Sequence, residues 1–178
     1  MELSDKEIIE GCKNNDRKCQ QLLYDRYSSV LFGVCLKNSK CKEDAEDIFQ
    51  DAFVKLYANL DKFSYLGSFE GWLRTFFTRV AWNYYRDRKD KYFRIELNET
   101  NAPTHENIVL EDYSNEQLIN CLQRLDDKER IILVSFVIEN RSWEEIAKNM
   151  NLEVATVRSM CSRAKKKLLQ MFYNMERM

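Results

Sequence analysis

Only four glycines and one proline occur among the 178 residues of this chain. Together they make up about 3% of it, where soluble proteins carry roughly 12%. Hairpin-rich β folds need tight turns built on these residues, so an all-β architecture is excluded and an all-α chain is expected. A length of 178 residues allows one medium domain or two small ones, and 44% hydrophobic residues suffice for a core.

The apolar residues recur at helical spacing in separate blocks. Ser4-x-x-Glu7 is a capping box that opens a first helix carrying Ile8 and Ile9. Leu23, Tyr27, Val30, Leu31 and Val34 form a second stripe, Ala45, Ile48, Phe49, Ala52 and Leu56 a third, and Phe69, Trp72, Leu73, Phe76 and Val80 a fourth. These four pieces can close one bundle. From Ile95 to Gln117 the pattern stops: the stretch holds Glu96, Glu99, Glu106, Glu111, Asp112 and Glu116, no Lys or Arg, and the only proline, Pro103. It reads as a flexible acidic linker. Beyond it, Ser114-x-x-Gln117 caps a helix with Leu118, Leu122 and Leu125, Asp126-x-x-Glu129 starts another with Leu133 and Val137, and Ser142-x-x-Glu145 opens a short one with Ile146, Ala147 and Met150. Two small helical domains joined by a linker are therefore expected.

The start of the chain is polar and acidic rather than basic-then-apolar, and no stretch reaches the roughly 18 apolar residues of a membrane helix, so a cytoplasmic protein without membrane insertion is expected. Cys12, Cys19, Cys35, Cys41, Cys121 and Cys161 include no C-x-x-C pair, and His105 is the only histidine. That is poor metal-ligand spacing, so free thiols filling the interior are expected, with no metal and no cofactor. No nucleophile and base come together in the sequence, which makes an enzyme the least favoured class.

A near-zero charge balance, 28 bases against 29 acids, hides segments of opposite sign. Ser142 to Lys167 has the parts of a helix-turn-helix: a short capped helix, a turn at Asn149-Met150-Asn151, where Asn151 tolerates a left-handed conformation, and a second helix. The core side of that helix is Val157, Cys161, Ala164 and Leu168, leaving Thr156, Arg158, Ser159, Ser162, Arg163 and Lys166 outward. Arg158, Arg163, Lys165, Lys166 and Lys167 face no acid between Thr156 and Gln170, which suits base edges and phosphates in a major groove. A solvated basic helix is the plainer interpretation of the charge run alone. From Arg74 to Arg94 seven bases stand against Asp87 and Asp90, interleaved with aromatics, the chemistry that holds single-stranded DNA. Here too the aromatics Phe69, Trp72 and Phe76 are first of all core residues.

Three segments resemble a known family. Glu145-Ile146-Ala147, Thr156-Val157-Arg158-Ser159 and Arg163-Ala164 are similar to region four of bacterial RNA polymerase sigma factors, although Glu153 stands where a Ser, Thr or Asp cap is usual. Ala45-Glu46-Asp47-Ile48-Phe49-Gln50-Asp51-Ala52-Phe53 resembles the more specific A-E-D-[LIV]-x-Q-[DE]-x-F motif of region two, and Trp72-Leu73 followed by Arg79, Asn83 and Arg86 resembles regions 2.3 and 2.4. In the right order over roughly residues 5 to 173, these match the extracytoplasmic-function (ECF) type. The resemblance implies a region-two domain over 1–94, a linker over 95–117 and a region-four domain over 118–178. It implies core-polymerase contact by Asp47, Gln50 and Asp51, minus-10 contact by Arg79, Trp82, Asn83 and Arg86 with the loop Phe63 to Phe69 capturing a flipped base at Ser64, Tyr65, Leu66 and Gly67, and minus-35 contact by Thr156, Arg158, Ser159, Ser162, Arg163 and Lys166. Core RNA polymerase and promoter DNA, duplex and single-stranded, are the implied partners, and an anti-sigma factor is common in such families. The residues also leave open a stand-alone helix-turn-helix regulator with a sensing or dimerising N-terminal half, and a helical adaptor that does not touch DNA.

Overall fold

The computed structural model of the chain describes residues 3–89 and 114–177. Among these residues the protein is all helical, without a strand: α1 (Asp5–Lys13), α2 (Arg17–Asn38), α3 (Lys42–Tyr57), a 3-10 turn (Leu60–Lys62), α4 (Phe69–Lys89), α5 (Asn115–Gln123), α6 (Asp127–Leu133), a π turn (Val134–Ile138), α7 (Trp143–Met150) and α8 (Val154–Glu176). The acidic stretch around Pro103, with His105, Lys91 and Arg94, lies outside the described residues. α5 begins at Asn115, inside the last residues of the segment read as linker.

The capping boxes at Ser4, Ser114 and Ser142 are formed as the spacing indicated, each hydroxyl accepting from an amide three residues on while the Glu or Gln there accepts from the cap amide. Asp126 caps α6 differently. Its side chain accepts from the Lys128 amide, whereas Glu129 turns inward, 5% exposed, and faces α8. At the start of α3, Cys41 Sγ accepts from the Asp44 amide, so this thiol acts as a weak cap rather than a filler. Gly11 sits where α1 closes on α2. A Cβ there would lie 2.2 Å from Cys19 Sγ, so close approach rather than a turn demands glycine.

α1 to α4 pack as a bundle around Ile8, Leu23, Leu31, Ile48, Leu56 and Leu73, all fully buried. Phe69 and Phe77 of α4 are buried, Phe77 with ring centroids 6.1 Å from Phe49 and 5.3 Å from Phe53, while Trp72 and Phe76 are only partly buried. Val30, placed inward by its spacing, is 37% exposed, because Leu23, Tyr27, Leu31 and Val34 already fill the buried ridge of α2. In the C-terminal half, Val157, Cys161, Ala164 and Leu168 of α8 are buried as expected, joined by Met160 and Phe172. The two halves are in contact: α2 packs on α5 and α6, and α4 packs on α6 and α7.

Candidate polymerase and nucleic-acid interfaces

α3 presents Glu46, Asp47 and Gln50 to solvent, while Asp51 bonds Lys55 Nζ at 2.6 Å one turn on. Tyr84 donates to Asp47 Oδ2 at 3.3 Å and to Asp44 Oδ1 at 2.8 Å, fixing the acidic start of α3 on α4. Beside this edge, α2 and α3 frame an open groove of about 390 Å³ lined by Tyr24, Ser28, Ser29, Phe32, Glu46, Phe49 and Gln50. Leu22, Tyr24, Val30 and Val54 are exposed on the same two helices, Val54 at 74%. An apolar surface with a carboxylate and amide rim suits a protein partner. Motif reading finds the rim and misses the apolar part; the available signal was Val54, an apolar residue outside the buried stripe of its helix.

On α4, Arg86 and Asn83 are accessible, Arg86 bonding Asp87 Oδ1 at 3.0 Å. Arg79 and Trp82 lie against the other half of the chain. Arg79 donates to Asn149 Oδ1 of α7 at 2.8 Å, Thr78 donates to Glu139 Oε1 at 3.0 Å, and Trp82 is 4% exposed with Lys128 Nζ 5.8 Å from its ring. Tyr85, also buried, donates to Asp44 Oδ2 at 2.9 Å and accepts from the Lys40 amide at 2.7 Å. Burial pushes its phenol well above the usual range, so it stays a neutral donor. The fully buried Arg130 of α6 lies over the Tyr85 ring at 5.1 Å and donates to the Leu125 carbonyl at 3.1 Å and to Asp127 Oδ1 at 2.8 Å. Thus Trp82 is covered by α6 and α7, while Arg79 stays exposed and is tethered to Asn149.

The loop before α4 reaches away from this contact. Leu66 is 92% exposed at its tip, and Tyr65, at φ 59, takes the left-handed turn that a glycine would be expected to supply. Its hydroxyl donates to Glu10 Oε1 at 2.7 Å and Lys13 Nζ lies 5.4 Å over its ring, anchors that hold the bulky residue there. Gly67, by contrast, has no positive φ.

α7, Asn151 and α8 form the helix-turn-helix. Asn151 is left-handed at φ 52, and Glu153 precedes α8 without a side-chain cap bond. Arg158 and Lys166 are exposed, and Thr156, Ser159 and Ser162 are half-buried on the outer side. Arg163 Nε lies 3.6 Å from Glu129 Oε1 and Lys167 Nζ lies 2.6 Å from Glu129 Oε2, so Glu129 ties the middle of α8 to α6. Among the described residues no cluster of three His, Cys, Asp or Glu side chains could hold a metal ion, and no helix is long and apolar enough to cross a membrane.

A bundle with a basic, aromatic helix, followed by a helix-turn-helix with a basic second helix, is the build of a DNA-binding transcription protein. Family comparison makes this specific: residues 23–91 match the model "Sigma-70 region 2" and residues 115–168 match "Sigma-70, region 4". The chain belongs to the sigma-70 family and is a transcription initiation factor of the ECF type. It is 29% identical over 180 residues to the ECF RNA polymerase sigma factor SigW of Bacillus subtilis, covering 94% of this chain and 96% of that one. It is 28% identical over 178 residues to the ECF RNA polymerase sigma-E factor of Escherichia coli K12, covering 92% of each. Its fold is similar to that of CnrH, solved in complex with the cytosolic domain of CnrY, with a TM-score of 0.55 at 22% identity over 96% of this chain and 97% of that one. The same score, at 20% identity over 86% and 96%, relates it to the sigma factor RpoE of Bartonella quintana, solved with the anti-sigma factor NepR.

Proposed function

We propose that this sigma factor docks on core RNA polymerase through the α2–α3 groove and its Asp47, Gln50 and Asp51 rim, holds the opened minus-10 strand along α4, and places α8 in the minus-35 major groove. The residues 1–94 and 118–178 act as the two promoter-binding domains. The observation that carries this reading is the helix-turn-helix with its left-handed Asn151 and outward Arg158 and Lys166, set in one chain behind the α3–α4 unit. No bond is made or broken by the protein. Binding of the unpaired strand offsets the cost of melting, a shift of population rather than catalysis, so the chain is not an enzyme. It works in the cytoplasm, where core polymerase is, and an anti-sigma factor is a further candidate partner, as for the structural neighbour RpoE.

Trp82 cannot reach a DNA strand while α6 and α7 cover it, and the exposed Arg79 is held by Asn149 of α7, so full engagement of this face requires the two halves to part. With residues 115–117 taken up by α5, the connection 95–114 spans up to about 70 Å when extended, about two DNA turns of roughly 34–36 Å. Arg79, Asn83, Arg86 and the Leu66 loop are the parts of the proposed minus-10 surface accessible before opening.

Run-off transcription with purified core polymerase tests the reading. The chain is expected to bind core and to yield discrete transcripts that core alone does not make. Specific duplex binding without any affinity for core would instead establish a stand-alone regulator. Reversing Arg158 and Lys166 to Glu is expected to abolish minus-35 use and leave core binding intact. Arg163 is unsuited to this purpose, because a carboxylate there would face Glu129 and disturb the α6–α8 packing.

A further inference from the structure

The recognition helix is braced by an aromatic pair, Phe136 and Trp143, to which the sequence pattern assigned no role. Phe136, in the π turn, and Trp143, the first residue of α7, stack face to face, with centroids 3.6 Å apart and planes 14° from parallel. Aromatic quadrupoles disfavour such a sandwich, since two negative faces meet; offset or edge-on pairs at larger separation are the usual arrangement. Two cations offset the penalty. Arg158 Cζ lies over the Trp143 ring at 5.9 Å and Lys165 Nζ over the Phe136 ring at 5.1 Å. No cation fits between rings 3.6 Å apart, so each occupies an outer face. Seven residues separate Arg158 and Lys165, which places them on one face of α8 about 10 Å apart along its axis.

A guanidinium drawn over a ring by its charge, as Arg158 is at 5.9 Å, leaves the N–H donors of its outer edge free. Those donors are what a guanine O6/N7 edge accepts, and residues near the start of a recognition helix are the ones that reach bases. Arg158 is the fifth residue of α8 and exposed. A long, mobile arginine is thereby held in one orientation before DNA arrives, which lowers the entropy lost on contact.

We infer that Trp143, backed by Phe136, is a positioning residue for minus-35 specificity: it orients Arg158 to read a guanine. This rests on the proposed placement of α8 in the minus-35 groove. The test is transcription by holoenzyme over promoters in which each minus-35 base pair is varied, using Trp143→Leu, Trp143→Phe, Arg158→Lys and the double variant Trp143→Leu/Arg158→Lys. Trp143→Leu is expected to lower discrimination for guanine at one position by about tenfold, the low end for a bidentate base contact. Trp143→Phe restores most of it, and the double variant is no worse than Arg158→Lys alone. Discrimination unchanged in Trp143→Leu overturns the inference. So does an equal loss on all promoters that adds to the Arg158→Lys loss, which marks a packing role only. If wild-type holoenzyme shows no minus-35 requirement at all, the placement of α8 itself is what fails.

Discussion

Cys12, Cys35 and Cys161 are buried thiols whose pKa is pushed up to about 11, 12 and 11, chiefly by burial, from an ordinary 9.0. Tyr27 is raised to about 12 for the same main reason. A raised pKa on an acid means the folded state keeps the proton that the unfolded chain releases. Stability from these groups is therefore complete below about pH 9 and falls as pH rises toward 11 to 12. Urea unfolding is expected to show a declining free energy from about pH 9 upward, and Cys35→Ala should flatten that decline; a pH-independent midpoint across this window would contradict the assignment. Spacing alone marked these thiols as interior fillers, and it marked Arg158 and Lys166 as outward. It could not foresee that Arg163 meets Glu129, or that Trp82 is covered, because both partners come from elements distant in sequence. A helical pattern reports which face a residue occupies, not what a neighbouring helix brings to it.

Helix starts were the most legible features at the scale of elements, since a capping box is local and reciprocal: Ser4, Ser114 and Ser142 each form one. The π turn at Val134–Ile138 was not legible. Its wider winding is set by tertiary packing and brings Phe136 to Trp143, while the local apolar residues would equally continue α6. Likewise Tyr65 rather than Gly67 takes the left-handed position, held by Glu10 and Lys13 from α1. The uncapped start of α8 was visible as Glu153, whose longer side chain makes no bond to the first-turn amides. Glu153→Asp keeps the favourable charge at the helix start and supplies a cap, so it is expected to stabilise the protein by about 1 kcal/mol. Thermal unfolding checks this, and an unchanged or lower midpoint would show that the start of α8 is satisfied in another way.

Two helical halves were legible in the molecule as a whole, from the interruption of periodicity between Ile95 and Gln117, but their contact was not. Thr78–Glu139, Arg79–Asn149 and the Arg130–Tyr85 stack connect surfaces whose separate patterns each look solvent-facing or core-like. Because Trp82, proposed to hold the minus-10 strand, is buried in this contact, weakening it should favour promoter strands. Thr78→Val with Asn149→Ala removes two hydrogen bonds, each with a charged partner, and is expected to raise the affinity of the free chain for the unpaired minus-10 strand roughly tenfold or more. Fluorescence anisotropy with a labelled oligonucleotide reads it; equal affinities would show that the contact does not restrain the α4 face. Recognition of one promoter by two faces of one chain is the proposition on which the rest depends. Single-round transcription by core polymerase plus this protein, over templates randomised through both upstream elements, measures it. Transcribed templates are expected to be enriched in two separate sequence blocks, the upstream one lost with Arg158→Glu/Lys166→Glu and the downstream one with Asn83→Ala/Arg86→Ala. Enrichment in no block, or transcription indistinguishable from core alone, would contradict it.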